Sequence, residues 1–336
     1  MAAFRDGVRR VNSAPLMLLG MCLVTLLIAL PLSLVLRGVI AAHLGSSLAA
    51  ETAAGGTNYD WWQEFSAQAS GLATTFVPSI IGFGAVLDNL AGLADNLPMA
   101  ASIAAAVAAW LIVWSFLSGG VLDRFARNRP TRAHGFFAAA GAHFWRFLRL
   151  GILAFAAYYV LFELIHGLLL DDLYERVTRN TTVERTAFAV RVGCYAVFAV
   201  LLVAVNLVFD YARVRLVVED RRSAIGALLA SVRFVRRHPR AVYLYLLNFS
   251  AFVLLAVVYA LLAPGAPGSG IWMWIAIGIG QLYIVGRHYL KLLFYASETA
   301  FFQGALAHAA YTAAPPVVWP DSPAAEAVLN ADATVR

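Results

Sequence analysis

From Leu16 to Leu36 the chain carries no charged side chain, and apolar runs of this kind recur along its length. A helix needs about 20 mostly apolar residues to cross the ~30 Å hydrocarbon core of a bilayer, since each residue adds ~1.5 Å of rise. Runs that meet this need fall at about residues 16–36, 100–122, 148–170, 187–209, 241–263 and 271–295. The first is too long for the ~7–15-residue apolar core of a signal peptide, and Arg37 follows it, so it reads as a retained helix. Composition agrees. Hydrophobic residues make up 61% of the 336 positions and charged residues 13%, with a mean hydropathy of +0.74. These values exclude a disordered chain, a disulfide scaffold and an ordinary water-soluble enzyme. The two cysteines, Cys22 and Cys194, lie inside apolar runs and read as small buried hydrophobes.

The arginines alternate with the spans, which fixes an expected orientation. Arg5, Arg9 and Arg10 precede span one, and the link between spans two and three carries Arg124, Arg127, Arg129, Arg132, Arg146 and Arg149. Between spans four and five lie Arg213, Arg215, Arg221, Arg222, Arg233, Arg236, Arg237 and Arg240. On the opposite side, Arg176, Arg179 and Arg185 fall between spans three and four and Arg191 about one turn inside span four, and the stretch from Gly38 to Met99 has no Lys or Arg. The positive-inside rule then puts both termini in the cytoplasm of an inner membrane. The net charge of +6 is accounted for by this topology, so no nucleic-acid partner is expected.

The fold class read from these features is an all-α integral membrane protein, with six transmembrane helices arranged as three hairpins. Residues 1–311 form one polytopic membrane domain. Residues 312–336, with Pro315, Pro316, Pro320 and Pro323, read as a disordered cytoplasmic tail. Outside the membrane, Tyr59, Trp61, Trp62 and Phe65 form an interfacial aromatic cluster. The uncharged stretch 72–87 contains Pro78, Gly82 and Gly84; it is short for a span and reads as an interfacial or re-entrant segment.

A repeat runs through the even-numbered spans. Phe125-Ala126-Arg127, Tyr211-Ala212-Arg213 and Tyr295-Ala296-Ser297 each follow or end one of them at near-equal separation. Amphipathic inner-face helices follow the first two. One collects Phe137, Ala140, Phe144, Phe147 and Leu148. The other collects Ile225, Leu228, Leu229, Val232 and Val235 beside its arginines, and Pro239 breaks it before span five. Arg222, Arg233, Arg236 and Arg237 are the candidate inner-face lipid contacts, since basic amphipathic helices settle on anionic leaflets.

No Gly-rich phosphate loop, zinc-protease helix or nucleophile elbow is present. Gly278-Ile279-Gly280 reads as a close approach of helices. The candidate intramembrane polar site is Glu163, His166 and Arg191. Glu163 and His166, three apart, are expected on one helical face, and Arg191 is expected to pair with Glu163 across the hairpin of spans three and four. Glu163-x-x-His166 is half of a carboxylate-bridged metal site without a second copy, so no metal or cofactor is expected. Asn206, Asn248 and Gln281 are expected to hydrogen-bond between helices.

The stretch Phe209 to Arg222, its continuation Ala224 to Pro239, and Gly119-Gly120-Val121-Leu122-Asp123 resemble a poorly characterised family of bacterial multi-spanning inner-membrane proteins. More distantly they resemble the membrane domain of some glycerophosphodiester phosphodiesterases. The resemblance covers about residues 100–300 and implies the architecture and a bacterial inner membrane. It carries over no catalytic residue, because the phosphodiesterase barrel has no counterpart here. The sequence therefore points away from an enzyme. It reads first as a non-catalytic membrane module that organises lipid or a protein partner, itself included as a homo-oligomer. A transporter or channel subunit using Glu163, His166 and Arg191 is the alternative, and an intramembrane enzyme the third reading.

Overall fold

A computed structural model describes residues 1–54, 58–77, 82–263 and 270–306. The expected tail at 312–336, the link from Pro264 to Gly268 and Pro78 lie outside the described residues. Within them all regular structure is helical. In chain order the helices are α1 (Ala2–Asn12), α2 (Pro15–Ser46), α3 (Ala50–Ala54), α4 (Tyr59–Gln68), α5 (Phe83–Ala94) and α6 (Ala101–Arg127). They continue with α7 (Ala133–Tyr159), α8 (Tyr174–Thr178), α9 (Glu184–Val218), α10 (Ala224–Arg237), α11 (Arg240–Leu262) and α12 (Gly270–Ala305). Five stretches among the described residues are long and apolar enough to cross a membrane: Pro15–Gly45, Ala133–Thr178, α6, α9 and α11.

Helices α6, α9 and α12 pack on one another and form the centre, and the three aromatic-Ala signatures explain why. Phe125, Tyr211 and Tyr295 are all buried in a single apolar core with Leu122, Val214, Leu292 and Phe302. A large ring followed by a small residue on each helix lets one backbone seat against its neighbour's ring. The core gathers at the arginine-bearing end, around residues 118–126, 207–218 and 288–302. The opposite end has only smaller cores, around Leu161 and Phe198 and around Trp61 and Phe65, and only 6% of the most apolar window of α2 is buried against protein.

Helix α1 closes the packed end by lying along α12. Gly7 meets Ser297 so closely that a Cβ there would stand 2.7 Å from the serine Cβ. Close approach falls at Gly119 and Gly120 too, where α6 meets α7, and not at Gly278 and Gly280 as expected. A Cβ on Gly278 would meet nothing within 4 Å and one on Gly280 only the Tyr259 hydroxyl at 3.9 Å, whereas one on Gly286 would stand 2.9 Å from Leu255, so α11 and α12 come close there instead.

The stretch containing Phe137 to Leu148 is not a separate amphipathic helix. It is the first part of one helical run, Ala133–Thr178, since no proline interrupts it. Its buried face is Ala140, His143, Phe147 and Leu150, while Phe137 is 53% exposed. Within this run, Val160–His166 and Leu168–Leu173 wind as π-helix. Helix α10 is separate. Ser223 caps it by accepting from the Gly226 N–H at 3.1 Å, and His238 and Pro239 end it before α11. At the other end of the molecule α5, with 12 residues, is too short to cross a bilayer. Trp61 and Phe65 pack against His43 and Phe76 against both of them, and the Trp61 indole donates to the His43 Nδ1 at 3.1 Å.

Candidate functional site

The expected Glu163–Arg191 pair does not form. Arg191 instead faces Asp95 of the α5–α6 link, with Nη2 3.7 Å from its carboxylate. Tyr195 donates its hydroxyl to the same carboxylate and receives the Arg191 Nε–H at 3.3 Å. His166 is buried and its Nε2 lies 2.8 Å from the Ala94 carbonyl, whereas Glu163 is exposed. The cause is the π-helical winding. An i→i+5 ladder turns less per residue than an α-helix, so residues three apart no longer share a face. The link between α5 and α6 thus clips onto the α7–α9 hairpin and takes the arginine.

The buried charge lies elsewhere, in the α6–α9–α12 centre. Asp210 and Arg213 are one turn apart on α9 and pair at 2.5 Å. Arg213 also donates to the Tyr295 hydroxyl at 3.3 Å, and so does the Trp114 indole at 3.2 Å. Trp110, Trp114 and Tyr295 stack in series at 5.8 Å spacing, with interplanar angles of 10° and 16°. The Lys291 ammonium sits over both indoles, 3.9 and 4.0 Å from their centres, a cation–π arrangement in place of a salt bridge.

Below this layer Glu298 is fully buried, and neither carboxylate oxygen has a hydrogen-bond partner among the described residues. The Tyr211 hydroxyl, the Asn248 side-chain oxygen and Thr299 Oγ1 are orphaned in the same way. Asn248 donates its N–H to Ser297 Oγ at 2.9 Å, joining α11 to α12 immediately beside Glu298. Tyr158 donates to Asn206 at 2.6 Å and joins α7 to α9, while Gln281 is exposed and bonds to no other helix among the described residues.

The sequence reading missed Lys291, Glu298 and the two tryptophans, yet a signal was there. Lys291, Tyr295, Glu298 and Phe302 recur at i, i+4, i+7 and i+11, one face of a helix. Trp110, Trp114, Leu117, Val121 and Phe125 do the same on α6.

A second network ties the packed end together. Arg10 is buried and donates to the Phe125 carbonyl at 2.6 Å and to Gln303 at 3.0 Å, while its Nε meets Asp6 at 2.8 Å. Arg215 pairs with Glu219 at 3.0 Å and lies 4.9 Å over the Phe302 ring. Glu219 also takes Arg221, and Asp220, at a left-handed φ of 48°, turns the chain toward α10 and pairs with Arg146 of α7.

Helix α10 presents the remaining candidate. It buries Ala224, Ala227, Ser231 and Phe234 and leaves Ile225, Leu229 and Val232 exposed. Arg222, Arg233, Arg236 and Arg237 are exposed too, Arg222 just ahead of the helix and the other three along its last turns. Among the described residues no group of three or more His, Cys, Asp or Glu could hold a metal. Family models, curated proteins and solved structures yield no match to the chain. None of these comparisons points to a family, the phosphodiesterase membrane domain included.

Proposed function

We propose that the chain is a non-catalytic, multi-span membrane module that holds anionic lipid against its arginine-bearing end. The observation that carries this reading is the outer face of α10. Ala224, Ala227, Ser231 and Phe234 seat it on the bundle, and Ile225, Leu229 and Val232 stay outside beside four exposed arginines. An apolar stripe with flanking cations suits the boundary between acyl chains and headgroups. On this reading α12 is the sixth span, the helices pair as three hairpins and both termini lie on the cytoplasmic side of a bacterial inner membrane, as the arginine distribution and the resemblance suggest. The sparsely packed far end then faces lipid, a protein partner or another copy.

The test is thermal stability of the purified protein in neutral detergent with added phosphatidylglycerol or phosphatidylcholine. Each cation near an anionic surface contributes on the order of 1 kcal/mol, weakened by salt. Phosphatidylglycerol should raise the midpoint more than phosphatidylcholine, and replacing Arg222, Arg233, Arg236 and Arg237 with glutamine should remove the difference. An equal response to both lipids in the unaltered protein defeats the reading. A second reading, a transporter subunit, is favoured by the charges inside the central helices, because such groups line ion paths in membrane proteins. It places the path at Asp210, Arg213 and Lys291, and not at Glu163, His166 and Arg191.

A further inference from the structure

We infer that the corner between α1 and α2 holds the phosphate of one membrane phospholipid, with an acyl chain lying along the groove between α2 and α6. Arg124, near the arginine-bearing end of α6, is only 5% exposed, and the carboxylates around it are spent on other cations. Asp123 pairs with Arg127 at 2.8 Å and Asp6 with Arg10 at 2.8 Å. Arg124 Nη1 has no hydrogen-bond partner among the described residues, and Nη2 reaches only the Ser13 carbonyl and hydroxyl oxygens, both at 3.4 Å. A buried guanidinium so poorly satisfied is matched by an anion. Ser13 is exposed, so Nη2 is aimed at the surface where α1 turns into α2. The positive end of α2 opens on the same corner, because the helix starts at Pro15 and no side chain caps it. A helix N-terminus beside an unpaired arginine suits a phosphate.

The groove decides what carries that phosphate. Met21, Val24 and Thr25 of α2 and Trp110, Trp114 and Leu117 of α6 line a half-open groove between the two helices. Arg124 meets Ser13 at one end while Thr25 and Trp110 share the groove, so α2 and α6 run antiparallel and the groove leads away from the corner. At ~1.5 Å of rise per residue, Leu117 stands ~10 Å and Trp110 ~20 Å along α6 from the level of Arg124. Apart from Thr25, whose hydroxyl lies 3.1 Å from His288 Nε2, the lining side chains are apolar or aromatic. Inorganic phosphate would leave this groove empty. A phospholipid fills both parts, since its glycerol joins the phosphate to the acyl chain. The inference rests on the multi-span membrane reading, and its residues are separate from those of α10.

The experiment is native mass spectrometry of the full chain, delipidated in neutral detergent and titrated with phosphatidylcholine. A first adduct of one phosphatidylcholine should saturate before any others form. Diacylglycerol with the same chains lacks the phosphate, and inorganic phosphate lacks the chains, so neither should form or displace this adduct at the same concentration. R124Q should raise the half-saturating lipid concentration about tenfold, the loss of one charge-assisted bond. V24W fills the groove far from Arg124 and should have the same effect, which carries the test if R124Q does not fold. Diacylglycerol binding as well as phosphatidylcholine, displacement by inorganic phosphate, no saturating first adduct, or an unchanged half-saturation in either variant each overturns the proposal. Replacing the four arginines of α10 should leave the adduct in place. The α10 reading is tested by the difference between anionic and neutral lipid, to which a site for the phosphate common to both adds nothing, so the two fail separately.

Discussion

At Gly120 a single methyl group decides whether α6 and α7 can meet. A Cβ there would stand 2.7 Å from the Phe136 carbonyl oxygen and 2.8 Å from its ring, and backbone oxygen cannot swing aside. Gly120→Ala is therefore expected to destabilise the protein by about 1–3 kcal/mol, the usual cost of overpacking. Gly141 of α7 is the control, since nothing lies within 4 Å of a Cβ there. Gly141→Ala should stabilise by about 0.4–1 kcal/mol through the unfolded chain alone. Opposite shifts of the thermal midpoint in detergent check the pair, and a Gly120→Ala midpoint at or above that of the unaltered protein refutes the contact. Residue-scale detail of this kind was only partly readable. The pair at 119–120 is visible in the sequence, but so is the pair at 278–280, and only the packing separates their roles, since α11 approaches α12 at Gly286 instead.

Among the elements, α1 depends on one guanidinium. Arg10 satisfies the Phe125 carbonyl at the C-terminal end of α6 and binds Gln303 of α12. Arg10→Met keeps the aliphatic bulk but strands that carbonyl, at a cost of about 2 kcal/mol for a charge-assisted bond. Limited proteolysis should then cleave ahead of α2 faster than in the unaltered protein; equal rates would mean that Gly7 on Ser297 suffices. The α7–α9 hairpin gives a contrasting case. Arg191 and Asp95 are 53% and 42% exposed, so their pair is worth about 0–1 kcal/mol. A double-mutant cycle of Asp95→Ala with Arg191→Leu should show coupling of that size, while Glu163→Leu with Arg191→Leu should be additive. Coupling in the second cycle would restore the pairing expected from sequence. That expectation assumed α-helical winding throughout, and nothing in 160–173 announces the π turns. On α9, which keeps its α-helical period, Asp210 and Arg213 at i, i+3 and Arg215 and Glu219 at i, i+4 do pair.

Across the whole molecule the sequence reports the long apolar helices and the clustering of arginines more faithfully than it reports contacts. Hydropathy is summed over about 20 residues, so it survives errors at single positions. The buried site depends on which faces meet, and Lys291 and Glu298 lie in a stretch whose charges interrupt the hydropathy signal. Orientation is checked by single cysteines at Asp60, Thr181, Arg129 and Arg222. An impermeant thiol reagent applied outside intact cells is expected to label the first two only, in a background lacking Cys22 and Cys194. Labelling of Arg222→Cys from outside inverts the topology.

Three helices are far longer than a bilayer crossing needs. Helices α2, α9 and α12 contain 32, 35 and 36 residues, or roughly 48–54 Å, against a hydrocarbon core of ~30 Å. Their excess cannot be hidden by tilt alone. Because α9 and α12 are bolted together around residues 207–218 and 288–302, a change in bilayer thickness is expected to splay their far ends and to leave the bolted end unchanged.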